Sequence, residues 1–227
     1  MPSSTSLIAL KGVSFQHADE SVTANKLDFE LYSGQSVAIS GMNGSGKSTL
    51  LSLIMGLRSV NSGEVRLFGH SCSTEADFSR FRTRIGMVFQ DPDDQLFCPT
   101  VIEDVCFGPL NQGLSRKDAL ARARDVLNRL NIGHLENKVT YQLSGGQKRV
   151  VALASVLAMK PEILLLDEPT NDLDPDNTRR LIDILKELSL PMILVCHDAN
   201  ICAELVDKEY LLEDGVIRNQ SYNLQDF

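Results

Sequence analysis

The chain has 227 residues, 43% of them hydrophobic, and a net charge of −8, the proportions of an ordinary globular protein with one sizeable core or two small lobes. An acidic chain, with a pI of about 5.0, gains nothing from bulk attraction to nucleic acid or anionic lipid. Apolar runs such as 163–166 and 192–196 hold only four or five residues, whereas a membrane span needs about 20; residues 1–6 carry no basic or apolar leader, so any membrane role is expected to run through a protein partner.

In chain order, strand-like runs are predicted at 7–15, 26–31 and 36–40. The first two alternate in polarity, as in a half-exposed antiparallel sheet. The third is short and apolar, as in a covered parallel strand. It leads into Gly41-Met42-Asn43-Gly44-Ser45-Gly46-Lys47-Ser48, followed by Thr49 and a helical apolar run to Ile54. Strand, glycine-rich loop and helix are the context of a phosphate cradle. Glycines let backbone N–H groups turn inward around a phosphate, and the helix N-terminus adds partial positive charge. Lys47 is placed to reach the β- and γ-phosphates, and Ser48 to ligate Mg²⁺.

Further strands are expected at 63–68 and 85–90. The region 92–160 reads as mostly helical, with no clear strand. Within it, Ser115 and Asp118 resemble a capping box, and Ala119, Leu120, Ala123, Val126, Leu127 and Leu130 share one helical face. Ser144-Gly145-Gly146 opens another helix, running through 150–157, whose hydroxyl and bare N–H groups suit an anion. The strand expected at 163–167 is apolar up to Leu166 and ends in Asp167 and the adjoining Glu168, acids at the carboxyl edge of a sheet, where α/β ligands bind. Asp167 is expected to hold Mg²⁺, directly or through water, and Glu168 to polarise an attacking water as general base. The last strands are expected at 192–196 and 209–212. The five cysteines form no C-x-x-C pair, which reads as idle thiols.

Taken together, Gly41–Ser48, Gln90, Leu143-Ser144-Gly145-Gly146-Gln147, Asp167-Glu168, Asn171-Asp172-Leu173-Asp174 and His197 resemble, in order and over nearly the whole chain, the motifs of ATP-binding cassette (ABC) transporter ATPases. The resemblance implies an α/β P-loop NTPase of the ABC-ATPase fold. It has a mixed central sheet, an antiparallel β subdomain and an inserted helical subdomain. The whole of 1–227 is then one ABC ATPase domain, with a RecA-like core at 1–91 and 161–227 and a helical signature subdomain at 92–160.

The resemblance also implies an ATP site built from Gly41, Asn43, Gly44, Ser45, Gly46, Lys47, Ser48 and Thr49, with Ser144, Gly145, Gly146 and Gln147 facing the nucleotide of a second subunit. Ser48, Gln90 and Asp167 are the implied Mg²⁺ ligands; Glu168, His197 and Gln90 are the implied catalytic set, with Gln90 also a hinge. His17 takes the place of the aromatic residue that stacks on adenine, with Phe15 as its rival. Asp172 and Val150 depart from the usual small residue and arginine.

Segments 87–97, 103–109 and 154–161 further resemble energy-coupling-factor ATPases. That resemblance implies an ATP-hydrolysing importer subunit for a transition-metal ion, cobalt or nickel, with a vitamin importer such as a biotin system as the alternative. It would sit on the cytoplasmic face of the membrane beside a transmembrane coupling protein and a membrane substrate-binding component. The short segment after Gly215 favours a homodimer. A soluble ATPase acting on nucleic acid is the more distant reading, set against an acidic charge and the lack of a coiled-coil insert; no nucleic-acid partner is expected.

Overall fold

The computed structural model describes residues 6–16, 22–171 and 173–220. In chain order they form β1 (Ser6–Gln16), β2 (Val22–Tyr32), β3 (Ser36–Ser40), α1 (Lys47–Ile54), β4 (Ser62–Leu67), β5 (His70–Cys72), α2 (Glu75–Arg82), β6 (Ile85–Val88), α3 (Val101–Asn111), α4 (Arg116–Arg129), α5 (Gly145–Leu157), β7 (Ile163–Asp167), α6 (Pro175–Leu188), β8 (Met192–Val195), α7 (Ala199–Leu205), β9 (Lys208–Glu213) and β10 (Val216–Gln220). The chain divides into two compact units, Met1–Arg82 with Leu190–Phe227, and Thr83–Ser189.

The first unit holds two kinds of sheet. An antiparallel sheet runs in the order β2-β1-β4-β5; burial alternates with the two strand faces in the second half of β1, whereas Ile8, Ala9 and Leu10 are buried in succession. β4 and β5 join through Phe68 and Gly69, both at positive φ, the backbone a tight hairpin requires. The parallel part is built on β3, whose Val37, Ala38 and Ile39 are fully buried. β3 pairs in parallel with β8 on one side and β9 on the other, and β10 runs antiparallel to β9. Leu50, Leu51, Leu53 and Ile54 are the buried apolar residues of α1.

The second unit contains the parallel pair β6 and β7, in register from Ile85↔Ile163 to Val88↔Leu166. All five residues of β7 are buried. Helices α3, α4 and α5 share a core of Val101, Val105, Ala119, Ala123, Leu127 and Val151, all fully buried. Each helix has a chemical start. The Glu103 carboxylate accepts from the Thr100 backbone N–H at 3.0 Å ahead of α3. Ser115 Oγ accepts from the Asp118 N–H at 3.2 Å at the start of α4, where the capping box was expected. Gly86 lets α5 approach β6, since a Cβ there would lie 2.3 Å from Val156 Cγ1. All five cysteines are free thiols; burial pushes those of Cys72 and Cys106 up, away from the reactive thiolate.

Candidate functional site

In the first unit the carboxyl end of β3 opens into the glycine loop. Gly41, Gly44 and Gly46 stand at φ +147°, +81° and +101°, and two of them are closely approached. A Cβ on Gly41 would lie 2.3 Å from the Leu212 carbonyl oxygen, and one on Gly46 1.9 Å from Thr23 Cγ2. Helix α1 begins with no side-chain cap and no acidic residue in its first turn, so its positive end is left for an anion. The Lys47 side chain is buried and donates from Nζ to the carbonyl oxygens of Gly41 at 2.8 Å and Met42 at 3.0 Å. Ser45 Oγ is buried inside the same loop with no hydrogen-bond partner, an orphaned group of the kind that a bound polar ligand satisfies.

The parallel register carries His197 to the same sheet edge. Ile39 pairs with Val195; Gly41 and His197 each follow their partner by two residues. His197 is exposed, and the next residue, Asp198, caps α7 by accepting from the N–H groups of Asn200 and Ile201 at 2.8 and 3.3 Å.

In the second unit the same geometry gathers the other residues. Val88 pairs with Leu166, so Gln90 and Glu168 each lie two residues past the pair, with Asp167 between. Asp167 and Glu168 are buried, at 3% and 5% exposure, while Gln90 is exposed. Glu168 has φ +47°, in the left-handed region that few non-glycine residues adopt.

Ser144 is the N-cap of α5. Its Oγ accepts from the Gln147 N–H at 3.3 Å, and Gln147 Oε1 accepts from the Ser144 N–H at 3.0 Å. This capping box gives Gln147 a local structural partner that the sequence reading did not assign. A Cβ on Gly145 would meet open space, whereas one on Gly146 would meet Asn177 and Leu173 at 3.3 Å. The helix start is thus exposed on its Gly145 side. His17 and Asp172 lie outside the described residues. Phe15 is buried, with the Arg58 guanidinium 5.8 Å from its ring centre.

One residue of this constellation was not singled out from the sequence. Arg149, on α5, is buried, and its Nη1 donates to the carbonyl oxygens of Gln90 at 2.9 Å and Glu168 at 3.3 Å. The available signal was an arginine set at the head of the apolar run 150–157.

The sequence profile of ABC transporters matches residues 24–171. The chain belongs to the ABC transporter family. An ABC transporter ATP-binding protein of Brucella suis biovar 1 is 47% identical over 92% of this chain and 87% of its own length. The energy-coupling factor transporter ATP-binding protein EcfA of Methanothermobacter thermautotrophicus is 37% identical over 97% of this chain and 72% of its own. Among solved structures, CbiO1 of Clostridium perfringens, part of the ABC transporter complex CbiONQ, superposes with a TM-score of 0.83 at 33% identity, covering 94% of this chain and 87% of that one. A dimeric ATP-binding cassette in a post-hydrolysis state, bound to ADP and phosphate, superposes with a TM-score of 0.87 at 28% identity, covering 97% and 100%. The expected mixed α/β fold of an ABC ATPase is thereby found, and the chain is an ATPase of this family. Among the described residues no helix of this ABC ATPase is long and apolar enough to cross a membrane. Its Val150, where an arginine is usual, is buried in the core shared by α3, α4 and α5.

Proposed function

We propose that this ABC ATPase is the motor subunit of an energy-coupling-factor-type importer, driving uptake of a transition-metal ion, cobalt or nickel. The observation that carries the reading is similarity to EcfA over 97% of the chain, joined by the fold match to a subunit of CbiONQ. In this reading the partners are a transmembrane coupling protein and a membrane substrate-binding component, and the chain lies peripherally on the cytoplasmic face of the membrane. A vitamin importer is the alternative, since the choice of cargo belongs to the substrate-binding component.

The site residues take the following roles. Gly41, Asn43, Gly44, Ser45, Gly46, Lys47, Ser48 and Thr49 cradle the triphosphate, supported by the uncapped start of α1 and the orphaned Ser45 Oγ. Ser144, Gly145, Gly146 and Gln147 face the nucleotide of a second copy, supported by the exposed Gly145 side of α5. Glu168 is the general base, His197 contacts the γ-phosphate, and Gln90 orients the attacking water. The segment 92–160 moves as the helical subdomain against a core of 1–91 and 161–227.

Ser48, Gln90 and Asp167 would hold Mg²⁺. The donor set fits: all three offer hard oxygens, and phosphate and water complete such a shell. Among the described residues no trio of His, Cys, Asp or Glu forms a rival metal cluster. Bound there, the ion would neutralise charge on the transferring phosphoryl group.

The test is affinity capture of the tagged chain from detergent-solubilised native membranes, followed by mass spectrometry. Recovery of a coupling protein with a small membrane substrate-binding protein is expected. Recovery of soluble partners alone, from a complex stable in that detergent, would contradict the importer reading.

A further inference from the structure

Helix α5 grips the segment that follows β6 at three points. Arg149 donates to the Gln90 carbonyl oxygen at 2.9 Å. Gln95 donates from Nε2 to the Ala152 carbonyl oxygen at 2.8 Å and to Ser155 Oγ at 3.1 Å, while its Oε1 accepts from the Phe89 N–H at 3.2 Å. The Lys148 ammonium lies 2.5 Å from the Asp93 carboxylate. Residues 89–95 are thereby tied to α5 by side-chain contacts.

Arg149 extends this grip to the acid-bearing strand, through its 3.3 Å hydrogen bond to the Glu168 carbonyl oxygen. The Asn171 N–H donates to the same oxygen at 3.2 Å. Glu168 holds its left-handed φ of +47° at this point, a conformation that persists only where the surroundings impose it. A guanidinium at 8% exposure is expensive to bury. Here it is spent on two backbone carbonyls rather than on the core.

We infer that Arg149 is a positioning residue for ATP hydrolysis, fixing the backbones of Gln90 and Glu168 as one unit. The inference rests on the proposed roles of those two side chains. Arg149 sits on the helix whose first turn is the Ser144-Gly145-Gly146 segment. A displacement of that turn is therefore delivered to both carbonyls through one rigid element.

The test compares steady-state ATP hydrolysis by the full-length wild-type chain, Arg149→Met, Arg149→Lys and Glu168→Gln, each checked by circular dichroism and melting. Displacing a reacting group by about 1 Å costs up to roughly 100-fold, so Arg149→Met is expected to lower kcat by at least about tenfold. The KM for Mg–ATP should stay within about twofold, because the loop 41–49, to which most of the nucleotide contacts are assigned, makes none of these hydrogen bonds. Arg149→Lys keeps a donor but not the fork, and should lose about threefold in kcat at unchanged KM.

A folded Arg149→Met protein with wild-type kcat, or with kcat and ATP affinity falling together, would overturn the inference. If Arg149→Met does not fold, Arg149→Lys decides. An intermediate kcat at unchanged KM supports the positioning role, and a wild-type kcat or a raised KM refutes it. Normal turnover by Glu168→Gln would instead sink the general-base assignment, whatever Arg149 does.

Discussion

The Lys47 ammonium lies 2.8 Å from the carbonyl oxygen of Gly41, the first residue of the loop that Lys47 closes. The side chain folds back across its own loop and shares its protons with two neutral carbonyl oxygens. A phosphate entering that loop offers a charged acceptor instead, and hydrogen bonds to charged groups are the stronger kind.

Lys47→Ala should therefore weaken nucleotide binding more than it weakens the fold. One lost charged hydrogen bond corresponds to a rise of about 10- to 100-fold in the Kd for Mg–ATP. Titration with a fluorescent ATP analogue measures it. Unchanged affinity would remove Lys47 from the phosphate site.

Gly86→Ala should destabilise the second unit without touching the phosphate loop. The added methyl would meet Val156 Cγ1 at 2.3 Å and Pro161 Cγ at 3.1 Å, and overpacking of this kind costs about 1–3 kcal/mol. Urea unfolding followed by circular dichroism gives the value. A midpoint equal to wild type would mean that α5 can back away from β6 freely.

The Arg84–Glu162 pair supplies a pH signature. Arg84 Nε and Nη2 donate to the two Glu162 oxygens at 2.6 and 2.9 Å. This contact holds the Glu162 carboxyl below its usual range. A lowered folded-state pKa contributes stability above the unfolded-state value of about 4.3, and that stability is lost as pH falls through the folded pKa. Both side chains are more than one-third exposed, so solvent limits the contribution to below about 1 kcal/mol. Arg84→Ala should lower the melting temperature slightly at pH 7. The difference should vanish once the acid is protonated.

Much of the fold was legible because its strands are short, apolar and set off by glycine. The runs predicted at 36–40 and 163–167 coincide with β3 and β7. The phosphate loop and the acid pair were legible because each chemistry demands particular residues at a fixed spacing. Helix α2 was missed because it is short and half charged, burying only Phe78 and Phe81. The hairpin strand β5 is three residues long, and its turn is Phe68-Gly69 rather than the Asn-Gly or Asp-Gly that marks such turns. The role of Arg149 was missed for a different reason. An arginine heading an apolar run marks the position, but the carbonyl oxygens it donates to, 59 and 19 residues away, leave no side-chain pattern to read.

The most direct test of the ATP-driven pairing proposed here is the solution mass of Glu168→Gln, by light scattering, with and without saturating Mg–ATP. The monomer is 25.0 kDa. Doubling of the mass on addition of Mg–ATP is expected, because nucleotide that is not hydrolysed keeps two chains closed around it. A folded, ATP-bound protein that stays at the monomer mass would contradict the pairing, and with it the trans role of Ser144, Gly145 and Gly146.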